Sequence, residues 1–147
     1  MPFKPRQPNE DTGNIFDRYE QGLHVTGPFQ VSCYPWLTGS NIDAGNANQG
    51  EVTVSFPMVT KSFTIVNTGS DAINVHFASR ESSQVVDGLH YMTIPDSSGS
   101  WTYDVKCTKL YVSSFGPVGD TGFLLSAELT GIPTDKMPAL TGSGIDE

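Results

Sequence analysis

Cysteine is scarce in this chain, which has only Cys33 and Cys107 among its 147 residues. A small domain built on disulfides would carry more cysteines in a chain of this length. We therefore interpret both residues as small buried thiols, with a disulfide between them as the alternative. The sequence also has no N-x-S/T site, so nothing favours a glycosylated extracellular domain.

Long apolar runs and clustered positive charge are missing as well. No segment approaches the roughly 20 apolar residues of a membrane-spanning helix, and the first residues, MPFKPRQPNEDTGN, lack the apolar core of a signal peptide. The formal net charge is −8, and the eight Lys and Arg residues are scattered. Because nucleic-acid-binding domains normally present a basic patch, we expect no direct nucleic-acid partner and no membrane span.

Short strands and turns dominate what remains. Apolar residues make up 37% of the chain and charged residues 16%, and there are 15 Gly and 10 Pro. Ala, Leu, Glu and Lys, the residues that fill helices, are poorly represented. The length suits a single domain, which at this size buries roughly 68% of its unfolded surface.

Residues 51–67, EVTVSFPMVTKSFTIVN, carry the clearest strand signal. Apolar side chains alternate with hydroxylated ones on both sides of Pro57, first at Val52, Val54 and Phe56 and then at Phe63 and Ile65. A period of two predicts strands with one apolar face. Proline cannot donate to a central ladder, so Pro57 separates two strands or marks a bulge.

Similar alternations predict further strands near residues 29–34 (interrupted by Pro28 and Pro35), 72–78, 89–94, 101–105, 108–112 and 123–129. The turn residues at 68–71 predict a hairpin between residues 61–67 and 72–78, with Ile73, Val75 and Phe77 inward and Asn74 and His76 outward. The strands around Trp101 and Leu110 are predicted either as two or as one long strand with a bulge.

The last strand alternates most cleanly, with Phe123, Leu125, Ala127 and Leu129 inward and Ser126, Glu128 and Thr130 outward. Residues 38–50, rich in Gly, Asn and Ser, are predicted to form a long loop.

Seven or eight strands without a convincing helix predict an all-β fold, an antiparallel β-sandwich with jelly-roll topology as the leading arrangement. We predict three regions: an extended N-terminal arm at residues 1–24, the sandwich at 25–132 and an irregular C-terminal tail at 133–147. The arm would be ordered only against a neighbour, and a frayed tail is the alternative.

Candidate catalytic and metal-binding residues form no recognisable motif. His24, His76 and His90 lack a metal-ligand spacing, so we predict surface or hydrogen-bonded histidines. The aspartates are not clustered as a calcium loop requires, and no G-x-S-x-G is present. We therefore expect no enzymatic activity, metal or cofactor.

Aromatic residues offer another possible function, since outward-facing rings can stack on sugars. Trp101 and Tyr103 share the phase of Val105, which favours core packing for both. Trp36 is the candidate residue for stacking on a ligand.

Three segments carry a resemblance to a known class of proteins: FPMVTKSFTIVNTGSDAINVHFA at 56–78, HYMTIPDSSGSWTYDVKCTKLYVSS at 90–114 and GFLLSAELTGIP at 122–133. Together they resemble the small β-sandwich structural proteins of virus and phage particles, namely minor capsid, vertex (penton) and decoration proteins. The resemblance covers roughly residues 52–133 and rests on strand patterns. It implies no active site.

This resemblance implies a non-enzymatic virion component whose partners are copies of itself and other capsid proteins. The arm would then reach into neighbours, and its large apolar residues would anchor it: Phe3, Ile15, Phe16 and Tyr19. The alternative function is a carbohydrate-binding or host-attachment module, such as a fibre or spike domain, with a surface glycan as its partner.

Overall fold

The structure, a computed structural model, describes residues 34–43, 50–79, 90–114 and 120–146. Within these ranges the chain forms eight strands and one short 3-10 helix at Thr134–Lys136. The strands are β1 (Tyr34–Asp43), β2 (Glu51–Ser55), β3 (Thr60–Asn67), β4 (Ile73–His76), β5 (Met92–Ile94), β6 (Ser100–Tyr103), β7 (Lys109–Ser114) and β8 (Asp120–Leu129). Their pairings are all antiparallel, which confirms the predicted all-β class.

The strands form two four-stranded sheets that share one core. The first sheet has the order β1-β8-β3-β6, and the second has the order β2-β7-β4-β5. Buried apolar side chains from both sheets belong to a single cluster. This arrangement confirms the predicted antiparallel β-sandwich.

Four of the strand pairs are nested along the chain. β1 pairs with β8, β2 with β7, β3 with β6 and β4 with β5. The register drifts little from the outermost pair, where Tyr34 lies opposite Leu129, to the innermost, where Val75 lies opposite Met92. The two halves of the chain therefore form one long antiparallel ribbon whose successive pairs alternate between the two sheets.

The core follows the period-two pattern of the sequence. The inward positions predicted for β2, β3 and β8 are buried, and Val52 alone among them is half-buried. The largest apolar side chains with almost no exposure are Phe63, Phe123, Ile65, Ile73, Ile94, Leu110, Leu125 and Ile132. Burying a side chain of this size contributes about 1.5–3 kcal/mol, so the sandwich depends mainly on this cluster.

Residues 68–71 do not form the predicted hairpin turn. β3 belongs to the first sheet and β4 to the second, so these residues carry the chain from one sheet to the other. The prediction was wrong because turn residues favour a change of direction without determining which strand becomes the hydrogen-bond partner.

The segment between β6 and β7 corrects a second expectation. β6 ends at Tyr103 in the first sheet, and β7 begins at Lys109 in the second. Two strands are therefore present, and the alternative of one long bulged strand is wrong.

β1 occupies residues that were predicted to be a loop. Thr38 to Asp43 pair with β8, and the strand also passes through Pro35, which was expected to interrupt it. Proline is tolerated here because β1 lies at the edge of the first sheet, where one row of backbone groups is not needed for the ladder. The prediction for residues 29–33 lies outside the described residues.

Buried polar side chains tie the sheets together at one end of β3. Asn67 is fully buried, and its Nδ2 donates to the carbonyl oxygens of Asp71 (2.8 Å) and Pro95 (3.0 Å). Its Oδ1 accepts from the backbone N–H of Gly69 at 2.9 Å. Asp71 precedes β4 and Pro95 follows β5, so this amide links the first sheet to two strands of the second.

At the other end of β3, buried threonine side chains also bind backbone groups of neighbouring segments. The Thr60 hydroxyl donates to the carbonyl of Val105 at 2.7 Å and accepts from the backbone N–H of Cys107 at 3.0 Å. The Thr130 hydroxyl donates to the carbonyl of Val59 at 2.7 Å. Thr130 was predicted to face outward but is buried, because the chain leaves β8 there and this hydrogen bond holds it inward.

The described part of the C-terminal tail, residues 133–146, contains the 3-10 helix and no strand. It does not leave the domain entirely, since Leu140 is half-buried against the core.

Candidate functional site

A buried polar cluster lies on the outward phase of the second sheet. The imidazole of His76 has Nε2 2.9 Å from the hydroxyl of Ser113 and Nδ1 2.6 Å from the carbonyl oxygen of Ala78. A carboxylate oxygen of Glu51 lies 3.9 Å from Nε2, and the hydroxyl of Ser79 donates to the other oxygen at 2.9 Å. His76 is thus hydrogen-bonded, as one of the two predicted alternatives requires.

The expectation that His76 and Asn74 face solvent is wrong. Both occupy the outward phase of β4, yet they are buried, as is Ser113 on the neighbouring strand. Asn74 is stabilised there by a hydrogen bond from Thr93, whose hydroxyl donates to Oδ1 at 2.8 Å. The alternation of apolar and polar residues along a strand predicts which side of the sheet a residue occupies. It does not predict whether other parts of the chain cover that side.

The geometry around His76 differs from that of a catalytic triad. A carbonyl oxygen can only accept, so the contact with Ala78 places a proton on Nδ1. In the neutral imidazole Nε2 then accepts from the hydroxyl of Ser113. In a hydrolase the carboxylate orients Nδ1, and the serine oxygen is open to substrate. Here Glu51 is on the Nε2 side and Ser113 is 2% exposed, so neither residue occupies the position that it would have in a triad.

An aromatic cluster runs along the inner side of the first sheet. Trp36 is half-buried, and its ring meets that of Phe56 edge-on at 5.3 Å between centroids. Trp101 and Tyr103 stack at 4.7 Å, and Trp101 is half-buried. Tyr103 is 41% exposed at the edge strand β6, so it combines core contacts with an accessible face.

The outer side of the first sheet is a broad surface with little charge, which we call the neutral face. It consists of the outward residues of β1, β8, β3 and β6, which include Leu37, Leu124, Ser126, Thr64 and Thr102. Lys61 and Glu128 lie 3.7 Å apart on it. Asp43 and Asp120 are paired in register at the far end of β1 and β8.

Two leucines are the most exposed large apolar side chains in the described ranges. Leu37 is 76% exposed and Leu124 is 59% exposed, and both lie on the neutral face. A Cβ atom on Gly39 would lie 2.7 Å from Cδ2 of Leu124, so the glycine makes room for this side chain to lie across β1. A shallow open groove lies beside it, lined by Gly39, Ser40, Asn41, Thr68, Phe123 and Leu124.

Sequence reasoning missed this surface. The signal was present, since Leu124 interrupts the polar phase of an otherwise regular alternation between Phe123 and Leu129. The exposure of Leu37 could not be recognised, because residues 38–50 were interpreted as a loop and β1 was not predicted there.

Cys107 is a free, fully buried cysteine, as predicted, and Cys33 lies outside the described residues. Burial raises the pKa of the Cys107 thiol from 9.0 to about 11, and a hydrogen bond with Thr60 partly offsets this rise. A thiol held in its neutral form is a poor nucleophile.

The arm anchors Phe3, Ile15, Phe16 and Tyr19, together with His24, lie outside the described residues. In the part of the chain that the structure describes, no three His, Cys, Asp or Glu side chains come together as a metal site. His90 is present there, and its buried Nδ1 has no hydrogen-bond partner among the described atoms.

No helix in the described ranges has both the length and the apolar character needed to cross a membrane. The chain matches no protein-family model and no curated protein sequence.

Proposed function

We propose that this protein is a non-enzymatic structural component of a virus or phage particle, located in the virion and acting through protein–protein contacts. The observation that carries the proposal is the nested ribbon of four antiparallel strand pairs wrapped into two sheets. We propose to regard this arrangement as a jelly roll. Jelly rolls occur in viral capsid domains, lectins and cupins, so the fold alone does not identify the function. The residues on the surfaces have to distinguish among these possibilities.

The described interior supports a structural role. The side chains between the sheets are almost all apolar, and the buried polar exceptions, which include Thr60, Asn67 and Thr121, bind backbone groups. The polar cluster around His76 is shielded from solvent. A protein whose described interior is apolar, and whose buried polar groups are hydrogen-bonded, acts most readily through its outer surfaces.

Those surfaces suit contacts within an assembly. The neutral face offers hydroxyl groups around Leu37 and Leu124, a composition that resembles a wet, partly apolar interface. A symmetric shell repeats each contact many times, so contacts that are weak individually add together. Capsid, vertex and decoration positions all use contacts of this kind.

The N-terminal residues 1–24 complete the proposal as an arm that reaches into a neighbouring subunit. Its large apolar residues, Phe3, Ile15, Phe16 and Tyr19, would be buried there, and an extended segment can add to the edge of a neighbour's sheet. The edge strands available in the described ranges are β1, β6, β2 and β5.

Deletion of residues 1–24 tests the proposal. The full chain and the deleted chain are supplied as tagged copies during particle production, and their incorporation into purified particles is compared. We expect incorporation of the full chain, a strong reduction for the deleted chain and an unchanged melting temperature. Absence of the full chain from particles contradicts the proposed function, whereas equal incorporation of both contradicts only the arm.

Glycan binding is the second candidate, and the exposed ring of Tyr103 stacked on Trp101 favours it. Stacking on sugar rings is the usual mode of recognition for such a platform. Trp36, the stacking residue suggested by the sequence, lies on the inward phase of β1 against Phe56, which leaves less of its ring available.

A glycan array separates the two candidates. Saturable binding that is lost in Tyr103→Ala or Trp36→Ala would favour the attachment module. A signal at background for the native chain would support the structural role.

A further inference from the structure

We propose that the side of the sandwich bordered by β5 and β6 binds the first residues of a neighbouring copy, PFKPRQP at positions 2–8, in the polyproline II conformation. The inference rests on the proposed function, which gives the N-terminal arm a neighbour to contact, and it identifies the surface that receives the arm. Its evidence is the exposure of aromatic rings on this side, the spacing of the prolines and the distribution of charge.

Aromatic and apolar side chains are only partly covered where β5 and β6 form the edges of the two sheets. Residues 95–99 connect these strands, so both edges lie on the same side of the sandwich. Tyr103 is 41% exposed, stacks on Trp101 at 4.7 Å between centroids and meets the half-buried ring of Phe77 at 6.0 Å. Met92 on β5 is 49% exposed. We call these four side chains the aromatic edge.

The backbone of β6 is open beside these rings. Among the described strands β6 pairs with β3 alone, so one row of its backbone groups has no partner strand. A segment with several prolines cannot form a complete ladder, because proline has no N–H to donate. Its carbonyl oxygens can still accept from an edge strand, so such a segment suits this short edge.

The prolines of the arm have the spacing that an aromatic surface recognises. Pro2, Pro5 and Pro8 recur at every third residue, and a polyproline II helix has three residues per turn, so all three lie along one side of it. Successive prolines are then about 9 Å apart. The four residues of β6 extend over about 13 Å, so two prolines can contact the aromatic edge together. Segments with this P-x-x-P spacing bind aromatic-lined grooves at a low entropic cost.

The charge of the segment also suits this chain as its partner. Residues 1–8 contain Lys4 and Arg6 and no acidic residue, whereas the whole chain has 16 acidic and eight basic residues. Attraction between the basic segment and an acidic neighbour therefore supplements the contacts of the prolines.

The charges described around β6 are consistent with this attraction. Asp96 precedes the strand and Asp104 follows it, and both are exposed. Lys106 is half-buried and already has a partner, and Lys61 on β3 lies 3.7 Å from Glu128. The exposed charges at the two ends of β6 are thus acidic, which favours a basic segment there.

A synthetic peptide of residues 1–9 tests the inference. It is titrated into the ¹⁵N-labelled full chain carrying Pro2→Ser/Pro5→Ser/Pro8→Ser, so that the chain's own prolines do not compete. We expect saturable shifts of the Trp101 indole N–H and of the β6 amides, while the indole of Trp36 stays unchanged. A peptide with serine at the three proline positions should bind about tenfold more weakly. No saturable shift at Trp101, or equal binding of the two peptides, would overturn the inference.

Variants of the full chain locate the site. Tyr103→Ser should weaken peptide binding about tenfold, whereas Tyr34→Ser, at an exposed position on the opposite edge strand β1, should leave it unchanged. Asp104→Lys lies outside the core and should weaken binding about threefold by charge alone. Equal weakening by the two tyrosine variants, or sugar binding at Tyr103 without peptide binding, would contradict the site.

Mixing two chains distinguishes a neighbour's arm from the chain's own. The ¹⁵N-labelled proline variant is mixed with unlabelled native chain, and we expect the shifts that the peptide produces. Their absence, where the peptide itself binds, would show that the arm stays on its own chain and would contradict the contact between copies. Particle incorporation is measured separately, so failure of these experiments leaves the proposed function intact.

Discussion

The side-chain amide of Asn67 donates a hydrogen bond to the carbonyl oxygen of Pro95 at 3.0 Å, joining the end of β3 in the first sheet to the end of β5 in the second. The same amide binds the carbonyl of Asp71, and the residue is fully buried. The Asn67 side chain thus links the two sheets at one end of the sandwich.

Replacing this amide with a carboxylate should be strongly destabilising. In Asn67→Asp, the donor is lost and an acceptor faces two carbonyl oxygens in a buried site, at a cost of about 3–5 kcal/mol. Urea unfolding monitored by circular dichroism gives the free energy of unfolding. The matched control is Asn41→Asp on β1, where the side chain is exposed and the expected change is within about 0.5 kcal/mol. Equal effects in the two variants would show that the Asn67 contacts do not hold the sheets together.

The hydrogen bond between Ser113 and His76 should contribute measurably to stability. Ser113→Ala removes the hydroxyl that lies 2.9 Å from Nε2 in a buried environment, and we expect a loss of about 1–3 kcal/mol. Ser55→Ala, an exposed position on β2, serves as the control. A variant as stable as the native chain would contradict a structural role for the cluster.

Cys107 should react slowly with thiol reagents in the folded chain. In a Cys33→Ser background Cys107 is the remaining thiol, and at pH 8 its raised pKa of about 11 lowers the thiolate fraction about a hundredfold relative to an ordinary thiol. The rate of labelling with a chromogenic disulfide should therefore rise by at least this factor in urea. Comparable rates in the folded and unfolded chain would contradict the burial of Cys107.

The same shift predicts a dependence of stability on pH. Because folding raises the pKa of Cys107 from 9.0 to about 11, its contribution is complete below pH 9 and is lost as the pH rises towards 11, by about 2–3 kcal/mol. The difference in unfolding free energy between the Cys33→Ser chain and its Cys107→Ala derivative isolates this contribution from other groups. That difference should decrease between pH 8 and pH 10.5, and a constant difference would contradict the shift.

Gly39 should resist substitution because β1 and β8 approach closely there. The Cβ of alanine would lie 2.7 Å from Cδ2 of Leu124 and 2.9 Å from the backbone oxygen of Phe123. The side chain of Leu124 is exposed and can move, whereas the backbone oxygen cannot, so we expect Gly39→Ala to cost about 1–3 kcal/mol.

A double-mutant cycle with Leu124→Ala separates these two contacts. Most of the cost of Gly39→Ala should persist in the Leu124→Ala background. If the cost disappears there, contact with the leucine side chain is its source, and the backbone does not limit the approach of the strands.

The sequence was sufficient to predict the strands whose burial follows a simple alternation. Phe63 and Ile65, and the series from Phe123 to Leu129, lie inward because the period of two is a property of the extended backbone itself. The partners of these strands could not be predicted in the same way. Residues 68–71 have the composition of a hairpin turn, but β3 and β4 belong to different sheets and pair with β8 and β7, which lie far along the chain.

The candidate surfaces were less predictable than the core. The glycine and asparagine residues of β1 made its composition resemble that of a loop, so the strand was not predicted. Gly39 is nevertheless part of the strand, and a side chain at this position would collide with β8. The phase of His76 was predicted, but its burial depends on what covers the second sheet, which alternation within β4 does not contain. The neutral face involves residues from four strands, so it becomes visible only when their order is known.

The most direct test of a virion role is to fractionate particles from cultures that carry this coding sequence on a density gradient. Peptides from this chain are then quantified across the gradient by mass spectrometry. We predict that the native chain sediments with intact particles, in a constant ratio to the major shell protein, and remains there after treatment with nuclease and high salt. Recovery of the chain only among free proteins at the top of the gradient would contradict its role as a structural component of the particle.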